Sequence, residues 1–181
     1  MSAPRIAILS DTSPDDSVAG SVEELFAKNG HIIVSNAKNF RMDSNVPLLI
    51  PEINADHLAL LATQTKSRGW SGSIVTNPNC STIVITLALA PLREFGLRKV
   101  VVSTLQAISG AGYPGVASLD ILGNVLPHIP GEELKIETET QKILGVLKNG
   151  IVRPHPVIIS AHCTRVPVVN GHSLLISVGF S

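Results

Sequence analysis

The sequence has 181 residues, with 14 Lys+Arg against 14 Asp+Glu, 44% hydrophobic and 15% charged residues. A balanced charge argues against nucleic acid or an anionic membrane surface as partner, and the apolar fraction supports a folded core rather than disorder. Aromatic residues are only 3%, too few for a base-stacking platform, and no apolar run reaches the length of a membrane span.

Taken in chain order, RIAILS at 5–10 predicts a short buried strand. Pro14, Asp15, Asp16 and Ser17 offer turn and cap chemistry before a helix whose Val18, Val22, Leu25 and Phe26 share one face. Asn29-Gly30 ends that helix, and HIIVS at 31–35 is the next strand. This βαβ opening implies parallel strands. Asn54 predicts the cap of a helix carrying Leu58, Leu61 and Ala62, and SIVT at 73–76 predicts a strand. Asn77-Pro78-Asn79 is a turn, and an apolar segment from Cys80 to Phe95 is helical at least to Pro91.

The second half changes character. A β-rich run covers 99–105, and SGAGYPG at 109–115 is a glycine-rich loop. The pattern at 132–147 predicts an amphipathic helix with Ile136, Ile143 and Leu147 on one side. Runs at 156–160, 165–169 and 174–180 predict three closely spaced, antiparallel strands. A strand so near the last residue is either an open edge or pairs with another chain. The first 95 residues therefore read as α/β and the rest as α+β. The N-terminus has no secretory pattern, and Cys80 and Cys163 make no disulfide framework, so a reducing, cytoplasmic compartment is expected.

Several residues carry chemical potential. Cys80 follows a strand and a turn and opens a helix. That position stabilises a thiolate and offers free N–H groups to an oxyanion, although free cysteines are often simply small buried hydrophobes. His172 lies in a turn between strands, either as a general base or as solvated surface. None of the six histidines has metal-ligand spacing with a second ligand. Arg165, in an apolar run, needs a partner, which is a bound carboxylate or a structural acid. Glu132 and Lys135, at i and i+3, read by themselves as an ordinary surface pair. The glycines of SGAGYPG let backbone approach a phosphate or ribose closely, but they form no GxGxxG fingerprint.

Five stretches in sequence are more specific: SNAKNFRMDSNVPLLIPEIN at 35–54, NPNCST at 77–82, TLQAISGAGYPG at 104–115, GEELKIETETQKILG at 131–145 and RVPVVNGHS at 165–173. In content and order they resemble the aspartate-semialdehyde dehydrogenase family, in its fungal and archaeal branch. The resemblance implies a partial Rossmann-like nucleotide domain over 1–95, followed by an incomplete catalytic and dimerisation domain over 96–181. It implies Cys80 as the nucleophile that forms a thioacyl-enzyme, His172 as acid/base, Gln106 as the group orienting the acyl intermediate, and Asn79 as support for the oxyanion. Arg165 would clamp the substrate α-carboxylate and Glu132 its amino group. Arg41 and Lys135 would bind phosphate, and Ser109 and Gly110 would touch the nicotinamide end of NADP. The family reaction is the NADP-dependent reductive dephosphorylation of aspartyl phosphate to the semialdehyde.

The sequence also departs from the family pattern. Ser10-Asp11-Thr12-Ser13-Pro14 stands where a glycine-rich dinucleotide turn would join the first strand and helix. RIAILSD matches a later strand of the nucleotide domain, and the chain stops soon after His172. The expectation is a chain shortened at both ends that retains the catalytic positions but loses the pyrophosphate and adenosine sites. Three readings follow. One is a dehydrogenase impaired by truncation. Another is a cofactor-free catalyst repurposed in secondary metabolism. The third is a pseudoenzyme that pairs with a full-length relative. A homodimer and a small-molecule substrate are the other expected partners.

Overall fold

A computed structural model describes residues 5–9 and 16–181. The turn and cap residues predicted at 10–15 lie outside this range. The chain divides into two compact units. Unit 1 is formed by Met1–Pro78 with Lys142–His155, and unit 2 by Asn79–Gln141 with Pro156–Ser181.

Unit 1 opens as the predicted βαβ: β1 (Arg5–Leu9), α1 (Asp16–Lys28) and β2 (His31–Ser35). Two short helices, α2 (Pro51–Asn54) and α3 (Leu60–Arg68), lead to β3 (Ser73–Thr76). The three strands form a parallel sheet in the order β1-β2-β3. Ala27, Ile33, Phe40, Val46, Trp70 and Ile74 form a buried cluster of this unit. The Gln64 side chain seals the outer edge of β3. It accepts the Ile74 N–H at 2.7 Å and donates to the Ile74 carbonyl at 2.9 Å, which pairs the backbone groups that an edge strand leaves open.

Two expectations fail here. In α1 the buried positions are Glu23 and Ala27, while Val18, Leu25 and Phe26 of the predicted stripe are exposed. The Ser35 hydroxyl donates to one oxygen of the Glu23 carboxylate, which helps an acid face the sheet. Asn54 stands at the N-cap position of a 3-10 segment, Ala55–Ala59, that leads into α3, but its side chain makes no cap hydrogen bond. Its side chain accepts the Ile50 N–H and donates to the Leu48 carbonyl, closing a local loop instead.

Unit 2 begins with α4 (Cys80–Leu89), followed by a 3-10 segment, Ala90–Phe95, and the long strand β4 (Leu97–Gln106). A 3-10 turn at Ile108–Ala111 and the short helix α5 (Ser118–Ile121) lead to α6 (Glu132–Ile143). The helix ends before Leu147, which instead belongs to a hairpin of unit 1 formed by β5 (Val146–Lys148) and β6 (Ile151–Arg153). Asn149 and Gly150 join these strands with positive φ, 54° and 74°, the backbone that a two-residue hairpin turn requires.

The sheet of unit 2 has the order β7-β4-β8, with β7 at Ile158–Arg165 and β8 at Ser173–Phe180. Three antiparallel strands were expected after residue 156. There are two, and β4 separates them, pairing parallel with β7 and antiparallel with β8. The predicted strand at 165–169 does not form: β7 stops at Arg165, and Pro167, two residues on, has no N–H for a ladder. One face of this sheet leaves Val101, Leu105, Ile158 and Leu175 exposed.

Candidate active site

Strand register carries three of the predicted side chains to one end of the unit 2 sheet. Gln106 and Arg165 are partners on the last rung of β4 and β7. Across β4, Leu105 pairs with Ser173, so His172 precedes β8 at that same end. The backbone beyond the strands is tied together by Val166 N–H to Gln106 O at 3.0 Å, Ile108 N–H to Val168 O at 2.8 Å and Ser109 N–H to Val169 O at 3.1 Å.

Helix N-termini supply the remaining groups. Asn79 caps α4, its Oδ1 accepting the N–H groups of Ser81 and Thr82 at 3.0 and 3.2 Å. Its Nδ2 donates to Glu132 Oε2 at 2.9 Å, and its own backbone N–H donates to Glu139 Oε2 at 2.7 Å. Glu132 and Glu139 are seven residues apart on α6 and so share a face. Between them they hold one asparagine by side chain and backbone, and so fix the turn that presents Cys80.

Cys80 is exposed, and its Sγ lies 3.4 Å from His172 Nε2. The other ring nitrogen, Nδ1, accepts the Ala107 N–H at 3.1 Å. Burial pushes the His172 pKa below its ordinary value, and the Arg165 charge pushes it the same way. Arg165 is buried, with Nη1 donating to the Ala107 carbonyl at 2.7 Å. Burial lowers its pKa as well, while the Glu132 charge opposes that shift. Gln106 is also buried, and its Nε2 donates to Thr104 Oγ1 at 3.3 Å. Gly110 lies against this group. A Cβ built there would come 2.8 Å from His172 Cε1 and 2.9 Å from Arg165 Nη1, so a larger residue would force these side chains or the turn to shift.

Glu132 and Lys135 are not the ordinary surface pair that their spacing alone suggests. Glu132 is buried, and Lys135 Nζ donates to its Oε1 at 2.6 Å. Burial by itself would raise the Glu132 pKa. The Lys135 hydrogen bond and charge, with hydrogen bonds from Asn79 and Gln106, outweigh that and hold the carboxyl below its usual value. The site therefore carries an ionised acid, a buried guanidinium, an ammonium, an imidazole and a thiol. Such a set can bind both charged ends of an amino acid beside a nucleophile.

Arg41 lies in unit 1, whereas the other predicted site residues lie in unit 2. It is buried in the loop after β2, and its Nη2 donates to Asn36 O at 2.7 Å. Cys163 is buried in β7, and burial, with the charge of Glu133 adding to it, pushes its thiol up to about 11. Glu139 and the Ala107 amide were not anticipated. Only the seven-residue spacing from Glu132 could have pointed to Glu139, and nothing local pointed to Ala107. Among the described residues no group of three or more His, Cys, Asp or Glu could hold a metal ion, and no helix is long and apolar enough to cross a membrane.

Comparisons with known proteins bear on this arrangement. The model for the semialdehyde dehydrogenase dimerisation domain matches residues 89–181, and that for the NAD binding domain matches residues 7–61. Aspartate-semialdehyde dehydrogenase of Archaeoglobus fulgidus is 51% identical over 167 residues, covering 92% of this chain and 48% of the relative. That of Cryptococcus neoformans is 49% identical over 175 residues, again 92% of this chain and 48% of the relative. The crystal structure of the Candida albicans aspartate semialdehyde dehydrogenase with NADP has a TM-score of 0.83 and 39% identity, covering 97% of this chain and 51% of that one. The chain spans about half the length of the curated relatives it matches. With archaeal and fungal relatives this similar, and matches to both of the family's domain models, the chain belongs to the aspartate-semialdehyde dehydrogenase family.

Proposed function

We propose that unit 2 carries the acyl-transfer half-site of an aspartate-semialdehyde dehydrogenase, with Cys80 as the nucleophile. The observation that carries the proposal is the 3.4 Å approach of Cys80 Sγ to His172 Nε2 at the N-terminus of α4. The Cys80 thiolate attacks the carbonyl carbon of an acyl phosphate such as aspartyl phosphate. The C–S bond forms, the C–O bond to phosphate breaks, and inorganic phosphate leaves a thioester on the enzyme. Arg165 clamps the α-carboxylate, and Glu132, kept ionised, takes the ammonium group. Gln106 orients the acyl group, Asn79 at the N-terminus of α4 supports the oxyanion, and His172 is the acid/base. Lys135 is the proposed phosphate ligand.

NADP is the cofactor expected for the reductive step, and when bound it supplies the hydride. The residues present fit its nicotinamide end at one place. The turn at Ile108–Ala111 lies directly beside the imidazole, with Gly110 against the ring. Ser109 and Gly110 would hold it. The exposed Val101, Leu105, Ile158 and Leu175 of the unit 2 sheet support a homodimer as the assembled form.

The test is intact mass spectrometry of the purified chain after exposure to an acyl phosphate. The expected result is a single acyl adduct that maps to Cys80 and is missing in Cys80→Ser. Absence of the adduct in a folded protein refutes the proposal and favours a non-catalytic role.

A further inference from the structure

β7 is an outer strand of the unit 2 sheet, so one row of its backbone groups faces away from β4. Among the described residues no strand covers that row. At Arg165 the loop before α6 does so, with Arg165 N–H donating to Leu126 O at 2.8 Å and Leu126 N–H donating to Arg165 O at 3.0 Å. Further back along β7, side chains of α6 take over. Cys163 N–H donates to Glu133 Oε1 at 3.1 Å, and Ala161 N–H donates to Glu137 Oε1 at 3.3 Å. Gln141 Nε2 donates to the Val157 carbonyl at 2.9 Å.

The spacing of these side chains fits the task. Glu133, Glu137 and Gln141 recur every four residues and so share one face of α6. Four helical residues advance about 6 Å, and two strand residues advance about 6.6 Å. A helix that runs against the strand can therefore meet alternate strand residues with every fourth side chain. The match also fixes the register. A slip of α6 by one residue would turn this face by about 100° and lose all three bonds.

That register matters because of the neighbours. Glu132 precedes Glu133 on α6, and Arg165 is two residues beyond Cys163 on β7. The Glu133 bond thus ties the two elements beside both groups. Glu132 and Arg165 are each buried, and the charge of one acts on the other. We infer that Glu133, with Glu137 and Gln141 behind it, sets the register of α6 on β7 and through it the spacing of Glu132 and Arg165, so that the site reads both charged ends of an α-amino acyl substrate. These three are positioning residues, and their role rests on the proposed roles of Glu132 and Arg165. His128 Nδ1 also lies 3.5 Å from Glu133 Oε1, but that exposed ring belongs to the loop before α6 and adds nothing to the register on β7.

Glu133→Leu removes the acceptor and Glu133→Gln keeps one; both lose the charge, so their difference isolates the hydrogen bond. Single-turnover acylation of Cys80 is followed by intact mass at increasing concentrations of aspartyl phosphate and, separately, of acetyl phosphate, whose acyl group has neither ammonium nor carboxylate. In Glu133→Leu the half-saturating concentration of aspartyl phosphate should rise about tenfold, the worth of one hydrogen bond. The maximal rate and the whole acetyl phosphate reaction should stay within twofold of the unaltered chain, and Glu133→Gln should resemble that chain throughout. Unchanged half-saturation by aspartyl phosphate overturns the inference. Equal loss with both acyl phosphates does so too, because a general structural defect treats the two alike. Glu137→Leu should show the same selective loss, about threefold, and decides the matter if Glu133→Leu does not fold. If the unaltered chain takes an acyl group from neither compound, the proposed function fails, and the register is read from the 13C-carboxyl titration of Glu132, assigned with Glu132→Gln. Its midpoint should lie about half a pH unit higher in Glu133→Leu than in Glu133→Gln, because a shifted α6 loosens the hydrogen bond from Gln106, the partner of Arg165 on the last rung. Equal midpoints overturn the inference alone.

Discussion

Gly110→Ala is a direct steric probe of the site. The position does not require a left-handed backbone, so alanine introduces no φ strain, and the one new atom is a methyl carbon. That carbon would sit 2.8 Å from His172 Cε1, 2.9 Å from Arg165 Nη1 and 3.0 Å from His172 Nε2. Ordinary contact needs about 3.5–4.0 Å, so the ring or the turn must retreat by roughly 0.7 Å or more. The Arg165 tip can swing away cheaply, whereas the imidazole is a stiff ring held by the Ala107 N–H. Retreat lengthens the 3.4 Å approach to Cys80 Sγ. Misplacement on the order of 1 Å in a reacting constellation costs about 100-fold in rate. Stability should change little, because Gly110 is exposed and alanine in its place reduces unfolded-state entropy, worth about 0.4–1 kcal/mol. The assay is single-turnover acylation of Cys80 by an acyl phosphate, followed by intact mass, alongside a thermal melt. Acylation slowed about 100-fold with a melting temperature near that of the unaltered chain is the expected pair of results. A rate within twofold of the unaltered chain would refute the steric reasoning and, with it, the assignment of His172 to this step.

Mild iodoacetamide treatment at neutral pH should label Cys80 first, because Cys163 is buried with a thiol pKa of about 11; peptide mapping that finds Cys163 modified first contradicts this. Glu139→Leu should destabilise the fold by about 1–3 kcal/mol by leaving the buried Asn79 N–H without its acceptor, while Glu139→Gln, which can still accept, should recover most of that in urea titration; equal losses in both variants would show that charge, not the hydrogen bond, matters there. Stability should fall as pH drops below 6.5, because unfolded His172 takes up a proton that the folded ring resists, and again below 4.5, where unfolded Glu132 protonates before the folded carboxyl does. His172→Gln should flatten the first of these limbs and Glu132→Gln the second in pH-dependent denaturation. An unchanged profile in either variant removes that residue from the explanation.

What was readable in the sequence, and what was not, follows the range of the interactions involved. The βαβ opening and the helix headed by Cys80 are set by short patterns. A strand, Asn77-Pro78-Asn79 and an apolar run leave few alternatives, and an asparagine before the cysteine is itself a cap. The hairpin at 146–153 was equally local and was still misread, because Ile143 and Leu147 continue a helical spacing and hid the turn signal of Asn149-Gly150. Other misreadings had a physical origin beyond any local window. The parallel pairing of β4 with β7 joins segments nearly sixty residues apart, Lys99 with Ile158, and nothing near either one announces its partner. Burial of Glu132 beneath its partner Lys135 is a tertiary fact, since the same i, i+3 spacing suits an exposed helix face equally well. The Asn79 hub depends on both levels at once. Its capping of α4 is local, but its grip on Glu132 and Glu139 exists only after α6, more than fifty residues on, has been brought back. Cys80 could be picked out because local rules build a helix N-terminus, whereas the partners that would make it a nucleophile rather than a small apolar residue arrive through the pairings of β4, β7 and β8.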